Sequence, residues 1–147
     1  MRKPGRFKPW LGGIRFYRKM KDHLPFIDNR LSIKSFDEIG LGVVANSKIE
    51  KDIFVEVAPV LVCENNSISF DKEAFKYVIA WGNGLAVPFG WTMIYNHSDN
   101  NNCEFSTNIH DGLLAILTIR DIEKDEQLTV NYGPEWFSSR GIEKKAI

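Results

Sequence analysis

The sequence MIYNHSDNNNCEF, residues 93–105, carries the strongest clue to the architecture of this chain. Two apolar residues and Tyr95 lead into Asn96-His97-Ser98, and a run rich in asparagine follows. Asparagine, serine and aspartate side chains compete with the backbone for its hydrogen bonds, so such a run taken alone predicts a loop. An aromatic-rich segment precedes it and a β-patterned segment follows it, and the rest of the chain decides how the loop is used.

Length and composition indicate one globular domain. The chain has 147 residues, of which 44% are hydrophobic and 26% charged, so neither a disordered tail nor a membrane protein is expected. No apolar run approaches the roughly 20 residues that a membrane helix needs, and the basic N-terminus lacks the apolar segment of a secretory signal. The two cysteines, Cys63 and Cys103, make no disulfide framework. A reduced, intracellular protein (cytoplasmic, or nuclear in a eukaryotic host) is therefore expected.

A net charge of zero conceals an asymmetry along the chain. Residues 1–21 contain eight basic residues and no acidic one, which leaves eleven basic and nineteen acidic residues in the remainder. Such a split predicts a basic arm attached to an acidic body. The arm could contact nucleic acid or an acidic partner, fold back on its own domain, or keep the protein in solution. The last two interpretations are favoured, and contact with nucleic acid is the less favoured one.

Short β-strand patterns dominate from Leu31 onward. The spacing i, i+3, i+4 of apolar residues between residues 71 and 81 favours only one or two helical turns. Pro59 is expected at a bulge or at a sheet edge, and Asp111-Gly112 supplies the turn of a hairpin. Many short strands with brief helical signals predict a mostly-β fold. The predicted strands are residues 31–36, 43–45, 53–62, 85–89, 104–109, 113–119 and 127–132.

Two local features are weak indicators of chemistry when each is taken alone. Gly40-Leu41-Gly42 lacks the third glycine and the following helix of a dinucleotide loop. A tight turn is the first interpretation, and main-chain contact with a ligand is the alternative, because glycine allows close approach. Tyr132 ends a predicted strand, where a residue either packs half-buried or belongs to a site.

The cysteines and histidines give little support for other chemistry. No pair of them has the spacing of a structural metal site, so no metal is expected. A nucleophilic pair of Cys103 with His97 or His110, oriented by Asp111, is conceivable, but nothing in the sequence singles it out.

Three segments taken together, in order, resemble the signature of the SET-domain protein lysine methyltransferases. They are GLGVVA (residues 40–45), YNHS with the later Asn102-Cys103, and EQLTVNYG (residues 126–133). The linking sequences at residues 49–56 and 119–126 are also similar to the family. The resemblance covers about residues 31–137, and the size is similar to that of the minimal, virus- or bacterium-type members.

The resemblance implies a mostly-β, β-clip-like fold of several small sheets with a pseudoknot-like crossing near the C-terminus. Residues 31–137 would form the catalytic domain. Residues 1–30 would be a basic arm that docks through its aromatic side chains, and residues 138–147 a C-terminal tail. True knots are nearly absent from proteins, so a threaded segment would be a built feature. Its buried backbone groups must be satisfied, and the asparagine and serine side chains of residues 96–102 are expected to satisfy them.

The implied reaction is transfer of a methyl group from S-adenosylmethionine to the ε-amine of a lysine in a protein substrate. Alignment of the reacting atoms should supply most of the rate. The amine, with an ordinary pKa of about 10.4, must first lose its proton, which desolvation and a neighbouring positive charge favour. The alternatives are a catalytically silent SET-fold binding module and an unrelated β-rich interaction module with a nucleic-acid-binding arm. A homodimer is compatible with the family, and no membrane contact is expected.

The family's functional residues map onto this sequence position by position. Tyr132 matches the catalytic tyrosine, whose hydroxyl would orient the amine and the methyl group. The residues matching cofactor contacts are Gly40, Leu41, Gly42, Asn96, His97 and Trp136, the last as a cover for the adenine. The residues expected to line the lysine channel are Tyr77, Tyr95 and Phe137.

The sequence also departs from the family pattern. Asp99 and Asn101 replace the cysteine and the proline common after Asn-His-Ser, Asn131 replaces a frequent aspartate, and Asp52 stands where a turn glycine is usual. No cysteine cluster follows residue 133 in this sequence, so no zinc-binding post-SET module is expected, and the tail is expected to close the site by aromatic packing. None of these changes removes a residue that the chemistry needs, but they leave the choice of substrate open.

Overall fold

The structure is a computed structural model that describes residues 25–63 and 69–144. Within that part of the chain, no helix is long and apolar enough to cross a membrane. The elements, in chain order, are β1 (Phe26–Ile27), β2 (Leu31–Phe36), β3 (Gly40–Ala45), β4 (Phe54–Cys63), a 3-10 helix (Ala74–Tyr77), β5 (Ile79–Trp81), β6 (Gly84–Pro88), β7 (Asn96–His97), β8 (Cys103–Asn108), β9 (Leu113–Thr118), β10 (Gln127–Val130) and α1 (Pro134–Arg140).

The described strands form two sheets, as a mostly-β SET-type fold requires. The larger sheet has the order β5-β6-β4-β9-β8, with β1 also paired to β4, and the smaller sheet has the order β2-β3-β10-β7. In the smaller sheet β10 is antiparallel to β3 and parallel to β7. The parallel pair sets Thr129 opposite Asn96 and Val130 opposite His97. The predicted fold class is confirmed.

One buried cluster joins the two sheets. Val43 of β3 and Leu128 of β10 pack with Val55 of β4 and Ile116 of β9, and all four side chains are fully buried. Burial of an aliphatic side chain of this size contributes about 1.5–3 kcal/mol. The shared core therefore fixes the smaller sheet, which carries the candidate site, against the larger one.

The polar segment after β7 crosses β10 by means of Asn102. This side chain is 1% exposed. Its Oδ1 accepts a hydrogen bond from the Thr129 N–H at 2.8 Å, and its Nδ2 donates to the Gln127 carbonyl at 2.8 Å. Asn102 thus offers β10 one donor and one acceptor, as a neighbouring strand would. The expectation that an asparagine side chain satisfies buried backbone groups at the crossing is confirmed.

Several predicted elements match the structure, and others differ in extent. The hairpin of β8 and β9 is confirmed, with its turn around Asp111-Gly112. Gly40-Leu41-Gly42 was expected to form a turn but lies in β3, paired with the end of β2. The turn is confined to residues 37–39.

Pro59 was predicted to lie at a bulge or at a sheet edge, and this explanation of its position was wrong. The register shift of β4 lies between Phe54 and Glu56, whereas Pro59 sits opposite Leu113. From Val60 onward β4 pairs with β6 instead of β9. At this change of partner a missing N–H costs little, which makes the position suitable for proline.

The C-terminal helix α1 was not predicted. It begins with Pro134 at its first position, has Arg140 in its last turn, and ends at Gly141 with φ of 61°. These are ordinary helix start and stop signals.

One predicted domain boundary falls between two strands and the other inside a helix: the boundary after residue 30 lies between β1 and β2. Phe26, assigned to the arm, belongs to β1 and pairs with Val57 of β4. The boundary after residue 137 lies within α1. Most of the arm, residues 1–24, lies outside the described residues, and so does its expected docking through aromatic side chains.

Candidate active site

Three distant segments meet in the smaller sheet because β10 lies between β3 and β7. β3 begins with Gly40-Leu41-Gly42, β7 consists of Asn96-His97, and the chain reaches Tyr132 two residues after β10. The segments that the sequence analysis grouped by family resemblance are therefore neighbours.

Asn96 links the three strands through its side chain. Its Nδ2 donates to the Leu41 carbonyl at 3.0 Å and to Gln127 Oε1 at 2.8 Å. Gly42 allows this approach, because a Cβ on it would lie 2.6 Å from Gln127 Oε1 and 2.8 Å from Asn96 Nδ2. The glycine is therefore required by a close contact within the sheet.

His97 is held in one tautomer by the backbone of Tyr132. Its Nδ1 accepts a hydrogen bond from the Tyr132 N–H at 3.1 Å, so the ring proton belongs on Nε2. The Nε2 atom is buried and makes no hydrogen bond within the described residues, although Asp99 Oδ1 lies 3.3 Å away. Burial, followed by the positive charge of Lys144, lowers the pKa of His97, and Asp99 opposes this shift. The imidazole ring is therefore neutral, and its Nε2–H can donate a hydrogen bond.

The Tyr132 hydroxyl donates a hydrogen bond to the Tyr95 carbonyl at 2.6 Å. Burial raises the pKa of this hydroxyl to about 12, and Tyr77 adds a smaller electrostatic contribution in the same direction. A tyrosine with this pKa stays protonated at neutral pH. It therefore acts through hydrogen bonds rather than as a base.

Helix α1 brings two aromatic rings against the site. The Trp136 ring lies 4.7 Å from the Tyr132 ring between centroids, and the Phe137 ring lies 4.8 Å from the His97 ring. The Phe137 and Tyr132 centroids are 6.1 Å apart. The tail thus packs aromatic side chains over Tyr132 and His97.

The two tyrosines predicted for the channel have different surroundings. Tyr77, in the 3-10 helix, is 56% exposed. The Tyr95 ring is fully buried in the core, so the prediction that it lines a channel is wrong. Tyr95 lies in the bend just before β7, where its ring packs into the core and its carbonyl faces Tyr132.

Two departures from the family pattern have a structural explanation. Asp52 has a φ of 63°, the left-handed conformation for which glycine is usual. Asp99 forms an ion pair with Lys144 of the tail, with Nζ at 2.6 Å from Oδ1 and 2.7 Å from Oδ2.

Cys103 does not fit the alternative role of a nucleophile. It is fully buried, and burial raises the pKa of its thiol to about 12. His110 is exposed in the β8–β9 turn, where its Nδ1 lies 2.8 Å from Asp111 Oδ1. Over residues 25–63 and 69–144, no group of three or more His, Cys, Asp or Glu side chains could hold a metal.

Two residues near the site were missed. Glu56 is a fully buried carboxyl whose Oε1 accepts the Trp91 N–H at 2.6 Å. The sequence feature that could have identified Glu56 is that it is the one acidic residue within the most hydrophobic predicted strand, residues 53–62. Arg140 binds the carbonyls of Phe75 and Val78. Its only signal was its place at the end of an unrecognised helix.

Comparisons with known proteins show the family and the fold. The family model described as "SET domain" matches residues 40–133. A crystal structure from Plasmodium falciparum, of a protein described as a "putative histone methyltransferase", is similar with a TM-score of 0.63 and 24% identity. The match covers 76% of this chain and 99% of that chain. At this identity the likeness concerns the fold. The family match contains Gly40, Asn96, His97 and Tyr132, whereas α1 lies beyond it.

Proposed function

Because the chain belongs to the SET-domain family of methyltransferases, we propose that it transfers a methyl group from S-adenosylmethionine to the ε-amine of a lysine in a protein substrate. One observation carries the proposal. Tyr132 is tied to His97 through its backbone N–H, and its hydroxyl donates to the Tyr95 carbonyl, so the proposed catalytic and cofactor residues form one hydrogen-bonded unit.

The donor set suits S-adenosylmethionine. The buried Nε2–H of His97 has no hydrogen-bond partner among the described residues, which leaves it free for an acceptor on an adenine. Gly42 is buried, and Gln127 and Asn96 fill the place of its missing Cβ, so it shapes the site from within the sheet. The exposed Gly40 and Leu41 allow a ligand to approach the main chain at the start of β3. These residues, with Asn96, would hold the cofactor, which when bound supplies an electrophilic methyl group on a positively charged sulfur.

Tyr132 orients the substrate amine. Its hydroxyl hydrogen is used by the Tyr95 carbonyl, so its oxygen lone pairs remain available to accept an N–H of the amine. With a pKa of about 12, the hydroxyl keeps its own proton and does not remove one from the amine. His97 is equally unsuited as a base, because its Nδ1 already accepts the Tyr132 N–H. The amine therefore loses its proton to water, helped by desolvation between aromatic rings.

The ring contacts favour exchanging the roles that the sequence analysis expected for Trp136 and Phe137. Phe137 lies against His97, on the side proposed for the cofactor, so we assign the adenine cover to Phe137. Trp136 lies against Tyr132, and Tyr77 acts electrostatically on the same hydroxyl. We assign Trp136 and Tyr77 to the walls of the lysine channel, where aromatic faces attract a cationic or methylated head group.

Two measurements test the proposal in sequence. Calorimetry with S-adenosylmethionine should show binding at one site per chain. Incubation of the protein and methyl-labelled cofactor with a mixed protein lysate should then yield labelled methyl-lysine after hydrolysis. A lysate whose lysines have been acetylated is the control and should take up no label. Absence of cofactor binding, or label on other residues only, contradicts the proposal.

A further inference from the structure

Arg140 connects the last turn of α1 to the 3-10 helix. Its Nη2 donates to the Phe75 carbonyl at 3.0 Å and to the Val78 carbonyl at 2.7 Å, and its Nε donates to the Phe75 carbonyl at 3.2 Å. Its Nη1 donates to the Trp136 carbonyl at 3.2 Å, within its own helix. The guanidinium thus binds main-chain carbonyls of both elements and joins them.

The same guanidinium lies between two aromatic rings. Its central carbon is 4.5 Å from the centre of the Phe75 ring and 4.7 Å from the centre of the Trp136 ring. Burial lowers the pKa of Arg140 from its ordinary 12.5, but an arginine keeps its charge at any physiological pH. A planar, stacked group with a fork of donors fits this place, and the compact ammonium of a lysine does not.

The two joined elements carry the two proposed walls of the lysine channel. The 3-10 helix ends with Tyr77, and α1 carries Trp136. The Trp136 ring contacts the Tyr132 ring, with 4.7 Å between the ring centroids. Arg140 therefore ties the 3-10 helix that ends with Tyr77 to the helix that holds the Trp136 ring against Tyr132.

We propose that Arg140 is a positioning residue that fixes the width of the lysine channel, an inference that rests on the proposed function. It acts through Tyr77 and Trp136 and does not touch the substrate. A fixed separation between the Tyr77 and Trp136 rings limits the space around the ε-amine. Each methyl group that is added to the amine requires more space. Loosening the Arg140 contacts should therefore weaken substrate binding and allow more highly methylated products. The cofactor side, with Phe137 and His97, should change little.

Arg140→Lys is the main test variant, and Arg30→Lys is its control. Arg30 is a partly buried arginine that pairs with Asp28 in the turn between β1 and β2. With mixed lysate as substrate, Arg140→Lys should raise the half-saturating lysate concentration about fivefold. This is the size of effect expected when the interaction between contacting residues is lost. The ratio of di- and trimethyl-lysine to monomethyl-lysine should rise. The calorimetric Kd for S-adenosylmethionine should stay at the value of the unmodified chain.

A double-mutant cycle separates positioning from a general loss of structure. If Arg140 acts through the Tyr77 ring, the effect of Arg140→Lys on half-saturation should shrink to about twofold or less in a Tyr77→Ala background, which lacks that ring. Phe75→Leu, which removes one stacking ring and keeps the carbonyl, should shift the product ratio in the same direction. Phe75→Leu also tests the inference if the Arg140→Lys variant does not fold.

The outcomes are distinct. If the unmodified chain binds cofactor and methylates lysine but Arg140→Lys and Phe75→Leu keep its half-saturation and product ratio, the inference is wrong and the proposed function stands. Additive effects in the cycle, or an equal loss of cofactor affinity, also overturn it. If the unmodified chain transfers no methyl group to lysine, the proposed function fails and the inference falls with it.

Discussion

The Glu56 carboxyl group is removed from water near the start of β4. It is fully buried, its Oε1 accepts the Trp91 N–H at 2.6 Å, and its Oε2 has no hydrogen-bond partner among the described residues. Gly90 is required beside it, because a Cβ there would lie 2.5 Å from Oε1. Burial raises the pKa of this carboxyl from 4.5 to about 7, and the Trp91 N–H offsets only part of that effect.

The raised pKa makes the stability of the fold depend on pH. The folded state holds a proton on Glu56 that the unfolded state has lost between about pH 4.5 and pH 7, so the free energy of unfolding falls as the pH rises through this window. Glu56→Gln does not titrate. Relative to the unmodified chain, its free energy of unfolding should improve by about 3 kcal/mol between about pH 4 and pH 8.

Urea unfolding of Glu56→Gln and the unmodified chain at several pH values checks this prediction. Glu135→Gln, at an exposed position of α1, is the control variant. Parallel stability curves for Glu56→Gln and the unmodified chain would show that the carboxyl does not titrate in this window.

At the scale of single residues, the sequence predicted the identities of the site residues better than their orientation. Short sequence motifs are enough to identify Asn96, His97 and Tyr132. Whether a residue presents its ring or its carbonyl depends on where a strand begins, which is why the Tyr95 ring was wrongly assigned to the channel. Arg140 makes contacts with residues more than sixty positions away, and no local pattern predicts such a contact.

At the scale of elements, the tail and the segment after β7 are joined by one ion pair beside the site. Lys144 lies 2.6 Å from Asp99 Oδ1, and its Nζ is 5.9 Å from the centre of the Phe137 ring. Asp99 and Lys144 are both exposed, so the pair is screened by salt and makes only a small contribution to stability. Its effect should instead be visible in the titration of the neighbouring His97.

The two partners should shift the pKa of His97 in opposite directions. Lys144 lowers this pKa and Asp99 raises it. Lys144→Met should therefore raise the pKa of His97 relative to the unmodified chain, and Asp99→Asn should lower it. NMR titration of the imidazole signals measures both shifts, and Lys124→Met, in the exposed turn before β10, is the control for loss of a lysine. Shifts of the same sign would contradict the proposed arrangement of the tail.

Elements were predictable where a local alternation determines them. The strands β2, β8 and β9 follow from such alternation, and their pairing follows from short turns. The short strand β5 was included in predicted helical turns, because Ile79 has helical spacing from Phe75 and yet pairs with Ala86. Tertiary pairing decided its conformation, which single-sequence spacing does not show.

At the scale of the whole molecule, the site depends on a crossing of chain segments that are distant in sequence. The parallel pairing of β7 with β10 and the side chain of Asn102 hold the crossing together. Family resemblance predicted this arrangement, since parallel pairing over such a separation has no local signature. The sequence analysis expected the tail to close the site by aromatic packing, but it did not predict that the tail does so as the helix α1, which lies beyond the family match at residues 40–133.

Asn102→Ala tests the crossing. It leaves the Thr129 N–H and the Gln127 carbonyl without the side-chain partner that now satisfies them. Because each buried group without a partner costs about 1–3 kcal/mol, the free energy of unfolding should fall by about 3 kcal/mol. Asn101→Ala, which removes one hydrogen bond to Cys103 at a half-buried position, is the control and should cost about 1 kcal/mol. Equal losses in urea unfolding would show that Asn102 has no special role.

The central claim is that Tyr132 orients a lysine amine for methyl transfer and leaves cofactor binding to its neighbours. The most direct test is labelled methyl transfer to lysine by Tyr132→Phe, with S-adenosylmethionine affinity measured by calorimetry on the same sample. Loss of one preorganised hydrogen-bonding group should reduce transfer by about 100-fold or more, while the Kd for the cofactor stays within about twofold. Full transfer activity in Tyr132→Phe would contradict the claim, and so would a loss of transfer that is explained by a matching loss of cofactor affinity.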